Sequence, residues 1–164
     1  MSISNDARLW VMVADHVASE TGVKQNMIGV GWTVMPLRDG HATHPMGVSV
    51  IVDVPTKHKG EDFTLEIFLR DEDSGLPVSV PSAEGEPPQV IRMSQVVRVN
   101  ADFAPGIPVD LMPFRYLSHF ALPIGLPLTP GHVYSWVARI DGNADGEASC
   151  RFFVPRLSQG PVIG

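Results

Sequence analysis

Residues 126–141 read LPLTPGHVYSWVARID, and they contain the clearest structural signal in the chain. The Pro-Gly pair at 130–131 predicts a tight corner, because proline presets φ and glycine accepts positive φ. After the corner the apolar residues alternate, and one face carries Tyr134, Trp136, Ala138 and Ile140. A period of two residues indicates a β-strand with one buried face. We therefore expect a corner that leads into a core strand.

The same alternation recurs along the chain. It is clearest in Gly47–Val54, where four valines share a face, and in Asp62–Arg70, where Phe63, Leu65, Ile67 and Leu69 do so. Further strand candidates are Arg8–Val17, Ile28–Val34, Leu76–Val80, Gln89–Asn100, Leu111–Phe120 and Ala148–Val154. Turn signals separate them, and we find no long stretch with helical periodicity. The pattern predicts an all-β fold, namely an antiparallel β-sandwich of eight to nine strands, jelly-roll or immunoglobulin-like, with a closed barrel as the alternative.

Length and composition favour one globular domain. The chain has 164 residues, of which 15 are glycine and 15 are proline, and these breakers are too evenly spread for a helical bundle. Its hydrophobic content of 44% argues against disorder. We expect residues 1–164 to form a single β-sandwich domain with short terminal arms at about 1–6 and 156–164, which are available for protein contacts.

Charge, cysteine content and the N-terminal residues predict the compartment and exclude some partners. The formal net charge is -6, which does not favour nucleic acid as a partner. The single cysteine, Cys150, cannot form an internal disulfide, which suits a reducing compartment. The chain starts without a signal-peptide pattern, and prolines interrupt the long uncharged stretch after Tyr116, so no membrane segment is predicted. We expect synthesis in the host cytoplasm.

One motif matches the first half of a calcium-binding loop. Asp141, Asn143 and Asp145, followed by Gly146, match the opening of a calcium-binding loop, in which oxygen ligands alternate along the chain. Phe152 stands where such a loop needs a bidentate glutamate, and strands rather than helices flank the segment. We therefore expect a polar hairpin loop between the last two strands, with calcium binding by Asp141, Asn143 and Asp145 as the alternative. We predict no other metal site and no cofactor.

Catalytic residues are not evident. His41 and His44 fall in a loop, and the sequence does not place His58 near them. Cys150 lies in a predicted strand, where cysteine usually behaves as a small buried hydrophobic residue. No nucleophile has an evident base, so we predict that the protein is not an enzyme, with a loop site around His41 and His44 as the remaining enzymatic alternative.

Two other features concern partners. In the first strand, Leu9, Val11 and Val13 oppose Trp10, Met12 and Ala14, so both faces are apolar. Such a strand is covered either by loops or by another protein. The acidic residues of segment 71–86 (Asp71, Glu72, Asp73, Glu84 and Glu86) have no evident basic neighbour in the sequence. They predict a solvated loop, or alternatively a docking segment for a basic partner.

Several short motifs occur in a recognisable order. Ala14-Asp-His-Val17 is followed by Gly29-Val-Gly-Trp32, and Pro130-Gly-His-Val-Tyr134 opens a later strand. This order resembles an uncharacterised family of small bacterial and bacteriophage-encoded β-sandwich proteins, over roughly residues 7–155. His16 stands where that family tends to have an aromatic residue. The resemblance implies a fold and a range of hosts, and it carries over no catalytic residue.

These observations give two functional hypotheses. The first is a non-enzymatic structural protein that assembles with itself or with a larger protein lattice such as a capsid. In its sharpest form it is a minor capsid or decoration protein of a tailed bacteriophage, located in the virion. The alternative is a cytoplasmic binding module for a small ligand or calcium that uses the loops at one end of the sandwich.

Overall fold

The computed structural model describes residues 2–20, 24–82, 86–103, 105–108 and 112–156. Its strands are β1 (Arg8–Ala14), β2 (His16–Glu20), β3 (Lys24–Ile28), β4 (Leu37–Arg38), β5 (Ala42–Thr43), β6 (Met46–Val54), β7 (Asp62–Asp71), β8 (Ser79–Val80), β9 (Gln89–Val90), β10 (Arg92–Arg98), β11 (Phe114–Leu122), β12 (Val133–Ile140) and β13 (Ala148–Phe153). A helical turn, α1 (Ile3–Asp6), precedes β1, and a 3-10 turn (Thr56–His58) follows β6. No helix in these ranges is long and apolar enough to cross a membrane.

Two larger sheets account for most of the strand residues. Strands β1, β6 and β11 form a three-stranded sheet with β6 in the centre, and the other sheet has the order β10-β7-β12-β13. All paired strands are antiparallel, so the predicted all-β antiparallel fold is confirmed. The described residues form thirteen strand segments, against eight to nine predicted. One reason is that the predicted strands Arg8–Val17 and Gln89–Asn100 are interrupted, at Asp15 and at Ile91.

The two larger sheets share one hydrophobic core. The four valines of β6 on the predicted inner face are fully buried, and so are Leu65, Ile67 and Leu69 of β7. Across the core, the ring of Phe120 on β11 meets the ring of Trp136 on β12 edge-on, with 5.2 Å between centroids. Each buried side chain of this kind contributes roughly 1.5–3 kcal/mol. The choice between a jelly-roll and an immunoglobulin-like arrangement stays a prediction.

The predicted corner at 130–131 is present. Gly131 has φ +88°, and the hydroxyl of Tyr134 accepts a hydrogen bond from the Thr129 backbone N–H at 2.9 Å. The same hydroxyl donates to the Thr129 carbonyl at 3.4 Å. A tyrosine at the start of a strand that bonds back to the chain a few residues upstream is typical of sandwich corners. The contact fixes the entry of the chain into β12.

The predicted strand Ile28–Val34 is wrong. Strand β3 ends at Ile28, and the chain turns through Gly29 and Gly31, which have φ +70° and +91°. The chain then reaches the edge of β13, where the Phe153 N–H donates to the Thr33 carbonyl at 2.8 Å. The alternating apolar residues at 28–34 therefore belong to a turn and to a short contact with the edge of β13, and they do not form a continuous strand.

The N-terminal residues pack on the core. Ile3 of α1 is 4% exposed and belongs to the core cluster. Of the predicted C-terminal arm, only Arg156 lies within the described residues. Leu111, with which we expected another strand to begin, also lies outside them.

Candidate functional site

An apolar row crosses the outer face of the three-stranded sheet. The register places Trp10 of β1 opposite Ile51 of β6, and Ile51 opposite Leu117 of β11. Their neighbours along each strand contribute to the core, so these three side chains point to the other face. Trp10 is 42% exposed, and the other two are partly exposed. We call these three residues the apolar row.

A charged row lies two residues further along the same face. Asp53 stands between Arg8 and Arg115 in the register. The guanidinium of Arg115 donates to both carboxylate oxygens of Asp53, at 2.7 and 2.6 Å, and this bond raises the pKa of Arg115. The exposed guanidinium of Arg8 has no hydrogen bond or ion pair with another described residue. The charged row therefore contains Arg115, which is paired with Asp53, and Arg8, which has no such contact within the described residues.

The β2–β3 hairpin covers the opposite end of this face. Val17 lies so close to Gly47 that a Cβ on the glycine would fall 2.6 Å from a Val17 methyl carbon. On β3, the Gln25 side-chain oxygen accepts a hydrogen bond from the Ser49 hydroxyl. Both Gly47 and Ser49 are consequently buried. The apolar row therefore lies between the part of the face that the hairpin covers and the charged row.

Ion pairs cover the part of the outer face of the four-stranded sheet that surrounds Phe68. The Glu66 carboxylate accepts hydrogen bonds from Arg139 and Arg92. The bond from Arg139 is the strongest influence and, with Arg92, lowers the pKa of Glu66 against the effect of burial. The Arg139 guanidinium also lies over the ring of Phe68, 5.0 Å from its centroid. Phe68 is thereby 6% exposed, although it points outward.

The acidic stretch has basic partners, contrary to the prediction. Glu72 pairs with Arg70 at 3.0 Å, and Arg151 lies 3.9 Å from the other Glu72 oxygen. Arg70 lies on β7, close to Glu72 in the sequence, whereas Arg151 lies on β13. The sequence around the acidic segment therefore does not reveal Arg151 as a partner. Glu86 accepts a hydrogen bond from Ser82, while Glu84 lies outside the described residues. A docking segment for a basic partner stays a prediction.

The described residues contain one group of side chains with the geometry for a divalent cation. It consists of Asp71, Asp73 and His132, whose ligand atoms all lie within 4.8 Å of one another. The His132 Nδ1 atom is 2.9 Å from Asp71 Oδ2 and 3.5 Å from Asp73 Oδ2. The pairing of β7 with β12 brings the end of one strand to the start of the other. Because this pairing joins residues that are distant in the sequence, no local sequence pattern predicts the group.

The same contacts also satisfy these side chains without a cation. Burial alone would raise the pKa of Asp71, but hydrogen bonds from His132 and from the backbone amides of Asp73 and Ser74 lower it. The His132 ring nitrogen thus already contacts both carboxylates, at 2.9 and 3.5 Å. The group therefore supports an ion pair at the β7–β12 junction as well as it supports a metal site.

A buried histidine ties the N-terminus to the β6–β7 connection. His58 is 3% exposed, and its two ring nitrogens lie 2.9 Å from Asp6 Oδ2 and 3.1 Å from Glu61 Oε2. Lys57 also reaches Asp6, at 2.7 Å. Hydrogen bonds from Lys57 and then from His58 lower the pKa of Asp6. The cluster anchors α1 to the 3-10 turn.

A cavity of about 730 Å³ opens beside this cluster. Its wall includes Arg8, Asp53 and Asp6 together with Lys57 and Lys59. Most of these charges are already paired, since Lys57 contacts Asp6 and Lys59 contacts Asp102. An anionic ligand would have to compete with these carboxylates. Arg8 again stands out as the lining cation without a partner among the described residues.

The predicted calcium residues form a hairpin loop between β12 and β13. Asp141 has φ +52°, and its Oδ1 atom accepts a hydrogen bond from the Thr64 backbone N–H at 2.8 Å. The Asn143 side-chain oxygen accepts from the Asp145 backbone N–H at 3.1 Å. Asp145 is exposed. Two of the proposed ligand oxygens thus have backbone partners, and calcium binding at this loop stays a prediction.

The remaining predicted residues lie apart from these groups. His41 and His44 are exposed on either side of β5, whereas His58 is buried. Cys150 is partly buried against the core, and burial raises the pKa of its thiol despite a hydrogen bond with the Val13 backbone. The thiol therefore resists ionisation, as expected for a cysteine with a packing role.

Comparison with known proteins adds no family assignment. No protein-family model matches the chain, and no curated protein matches it at a significant level. The resemblance to bacterial and bacteriophage β-sandwich proteins stays a prediction.

Proposed function

We propose that this protein is a non-enzymatic structural protein that attaches to a larger protein assembly through the apolar row. The observation that carries the proposal is the position of Trp10, which is 42% exposed in the middle of a regular strand. Tryptophan and arginine are enriched where proteins contact one another and often dominate the binding energy. Here Trp10 shares an outer face with Arg8 and Arg115.

The size of the face favours a large assembly over a second copy in solution. Three strands at about 4.8 Å spacing and some six residues of length give roughly 300 Å². A stable interface needs about 800 Å² from each partner. Two free copies that meet only through this face are therefore expected to remain separate, whereas a larger assembly can add contacts with other parts of the chain.

Charge indicates the chemistry of the partner surface. Arg8 has no ion pair with another described residue, although Asp53 is its neighbour on β6. The Arg115 side chain is 58% exposed beyond its pair with Asp53. A complementary surface would offer an apolar depression for Trp10 with carboxylates at its rim. In the sharpest form of the proposal the assembly is a tailed-bacteriophage capsid, and the chain is a minor capsid or decoration protein. The family resemblance supports that form.

The test is a density-gradient separation of the source lysate, with the chain followed by an affinity label. We expect the wild-type chain to migrate with a megadalton particle and the Trp10→Thr variant to stay in the light fractions. Val96→Thr is the matched control, because Val96 is 73% exposed on the outer face of the other sheet. It should migrate like wild type. Thermal melts of both variants establish that each is folded.

Two results would overturn the proposal. Wild-type protein found only in light fractions would exclude a stable particle component. Particle association by a folded Trp10→Thr variant at the wild-type level would show that attachment uses another surface. Equal losses for Trp10→Thr and Val96→Thr would likewise remove the special role of the apolar row.

A binding module for a small ligand is the second candidate function, and cavities of about 730 and 270 Å³ favour it. The calcium version uses Asp141, Asn143 and Asp145. A ligand that binds the native state must stabilise it, so a calcium titration that leaves the melting temperature unchanged excludes that version. A rise that disappears in Asp145→Asn would support it.

A further inference from the structure

Three of the four outermost strands of the two larger sheets are protected against further pairing. On β1, the Val13 carbonyl accepts a backbone hydrogen bond at 3.4 Å from the loop after β3. On β13, Phe153 bonds through both its N–H and its carbonyl to residues 33–35. On β10, the exposed residues Arg92 and Arg98 stand at the two ends, and a second β10 paired along its whole length would bring them together. Edge strands without such protection are templates for another chain.

Strand β11 is the fourth of these outermost strands, and its outer edge is open. Within the described ranges, its backbone forms hydrogen bonds with β6 and with no other segment. A strand paired on one side presents every second N–H and carbonyl to the other side. β11 is nine residues long and contains neither proline nor glycine. The described part of the chain therefore leaves a long, regular ladder unpaired.

The core-facing side of β11 is complementary to itself when two copies run antiparallel. With Ser118 opposite Ser118 of the other copy, every residue of the strand has a partner on the same face. Tyr116 then lies opposite Phe120, and Phe114 lies opposite Leu122; all four pack against the core of their own copy. Aromatic and apolar cross-strand pairs of this kind stabilise a sheet.

The outer side of β11 favours the same register. In the arrangement centred on Ser118, the exposed Arg115 lies opposite Ala121, which carries no charge. A shift of two residues in either direction shortens the ladder and places His119 opposite Arg115 or opposite itself. Like charges that stand directly opposite destabilise a pair of strands. Side-chain size and charge therefore favour one arrangement.

We propose that β11 is a contact between two copies of this chain, which pair their β11 strands antiparallel about a two-fold axis at Ser118. The contact is isologous, and it joins the two three-stranded sheets into one sheet of six strands. The shared ladder is about 31 Å long and contains about eight main-chain hydrogen bonds, which contact through the apolar row would lack. Its area is below the roughly 800 Å² per partner of a stable dimer, so we expect a dissociation constant of about 0.1–1 mM. The proposal does not depend on attachment through the apolar row.

A cysteine on the two-fold axis tests the pairing directly. Ser118→Cys brings two Cα atoms to about 4.5–5.5 Å, which is within the range of a disulfide. Ser94→Cys makes the same substitution on β10 and is the matched control. Both are made with Cys150→Ala, because Cys150 is the only native cysteine. Under mild oxidation we expect Ser118→Cys to form linked dimers faster, although Ser118 is 6% exposed and Ser94 is exposed.

Ala121 tests the register, because it is exposed and does not contribute to the core. Ala121→Glu places a carboxylate opposite Arg115 of the other copy, whereas Ala121→Lys places a like charge there. Each dimer contains two such pairs. In sedimentation equilibrium, the dissociation constant should therefore fall about 2- to 10-fold in Ala121→Glu and rise by a similar factor in Ala121→Lys. Trp10→Thr should leave it unchanged, and thermal melts establish that each variant is folded.

Four results would overturn the proposal. Wild-type protein that stays monomeric up to about 1 mM does not have this contact. Linked dimers that form no faster in Ser118→Cys than in Ser94→Cys would place association on another surface. Equal dissociation constants for the two Ala121 variants would refute the register, and they provide this test even if Ser118→Cys fails to fold. Loss of the dimer in Trp10→Thr would assign association to the apolar row instead, which separates this proposal from the proposed function.

Discussion

Replacing Tyr134 with phenylalanine removes one hydroxyl from the corner before β12 and leaves the aromatic ring in place. The hydroxyl accepts from the Thr129 N–H at 2.9 Å and donates to the Thr129 carbonyl at 3.4 Å. Tyr134 is 2% exposed, so water has little access to its side of the contact. A buried hydrogen bond whose partner is left unsatisfied costs about 1–3 kcal/mol. Because Thr129 is exposed and can recover some hydration, we expect a loss of about 1–2 kcal/mol.

The assay is urea unfolding followed by tryptophan fluorescence. With a denaturant dependence of about 2 kcal/mol per molar urea, the midpoint of Tyr134→Phe should fall by about 0.5–1 M. The matched control is Tyr116→Phe on β11. Tyr116 is partly buried, and its hydroxyl has no hydrogen bond to any residue in the described ranges. Its removal should change stability by less than about 0.5 kcal/mol.

Two outcomes would refute this reasoning. An unchanged midpoint for Tyr134→Phe would show that the bond to Thr129 does not stabilise the corner. Equal losses in Tyr134→Phe and Tyr116→Phe would attribute the effect to a general property of tyrosine hydroxyls. A change in the denaturant dependence itself would indicate an altered unfolded or native ensemble, and the midpoints would then be compared through thermal melts.

Two further predictions concern backbone conformation and pH. Gly29→Ala should lower the melting temperature more than Gly31→Ala. Both glycines have positive φ, but a Cβ at Gly29 would fall 1.9 Å from Asp15 Oδ2, whereas a Cβ at Gly31 would have no heavy atom within 4 Å. Equal losses of melting temperature in the two variants would contradict this prediction. The pKa of Asp71 is below its usual 3.8, because hydrogen bonds from His132 and the backbone outweigh the effect of burial. The Asp71 carboxylate therefore stabilises the fold above about pH 4, and this stabilisation is lost as the pH falls through the lowered pKa. Asp71→Asn should therefore destabilise the protein at neutral pH and flatten the loss of stability below about pH 4, as urea midpoints across pH would show; an unchanged acid profile would count against it.

The core strands could be predicted because their signal is local. Along β6, β7 and β12 every second side chain is apolar, and that period alone predicts which face is buried. The same rule misled at Ile28–Val34, because alternation does not record backbone conformation. Gly29 and Gly31 both need positive φ, which ends a strand. Gly29 also faces the Asp15 carboxylate across the hairpin, a contact that no local pattern contains.

The candidate sites depend on register between strands that are distant in sequence. Apolar residues on both faces predict the two-faced strand that contains Trp10, but no local pattern places Ile51 and Leu117 beside it. Similarly, the proximity of Asp71 to His132 follows from the pairing of β7 with β12.

Phe68 and Trp10 occupy similar outward positions on the two larger sheets, but they differ in how far they are covered. Both are aromatic residues at outward positions of regular strands, yet Phe68 is 6% exposed and Trp10 is 42% exposed. The difference is the neighbouring charge: Arg139 lies over Phe68, held there by its pair with Glu66. Beside Trp10, the guanidinium of Arg115 is instead held by Asp53. Trp10 therefore keeps 42% of its surface exposed, and the proposed attachment through the apolar row would cover it.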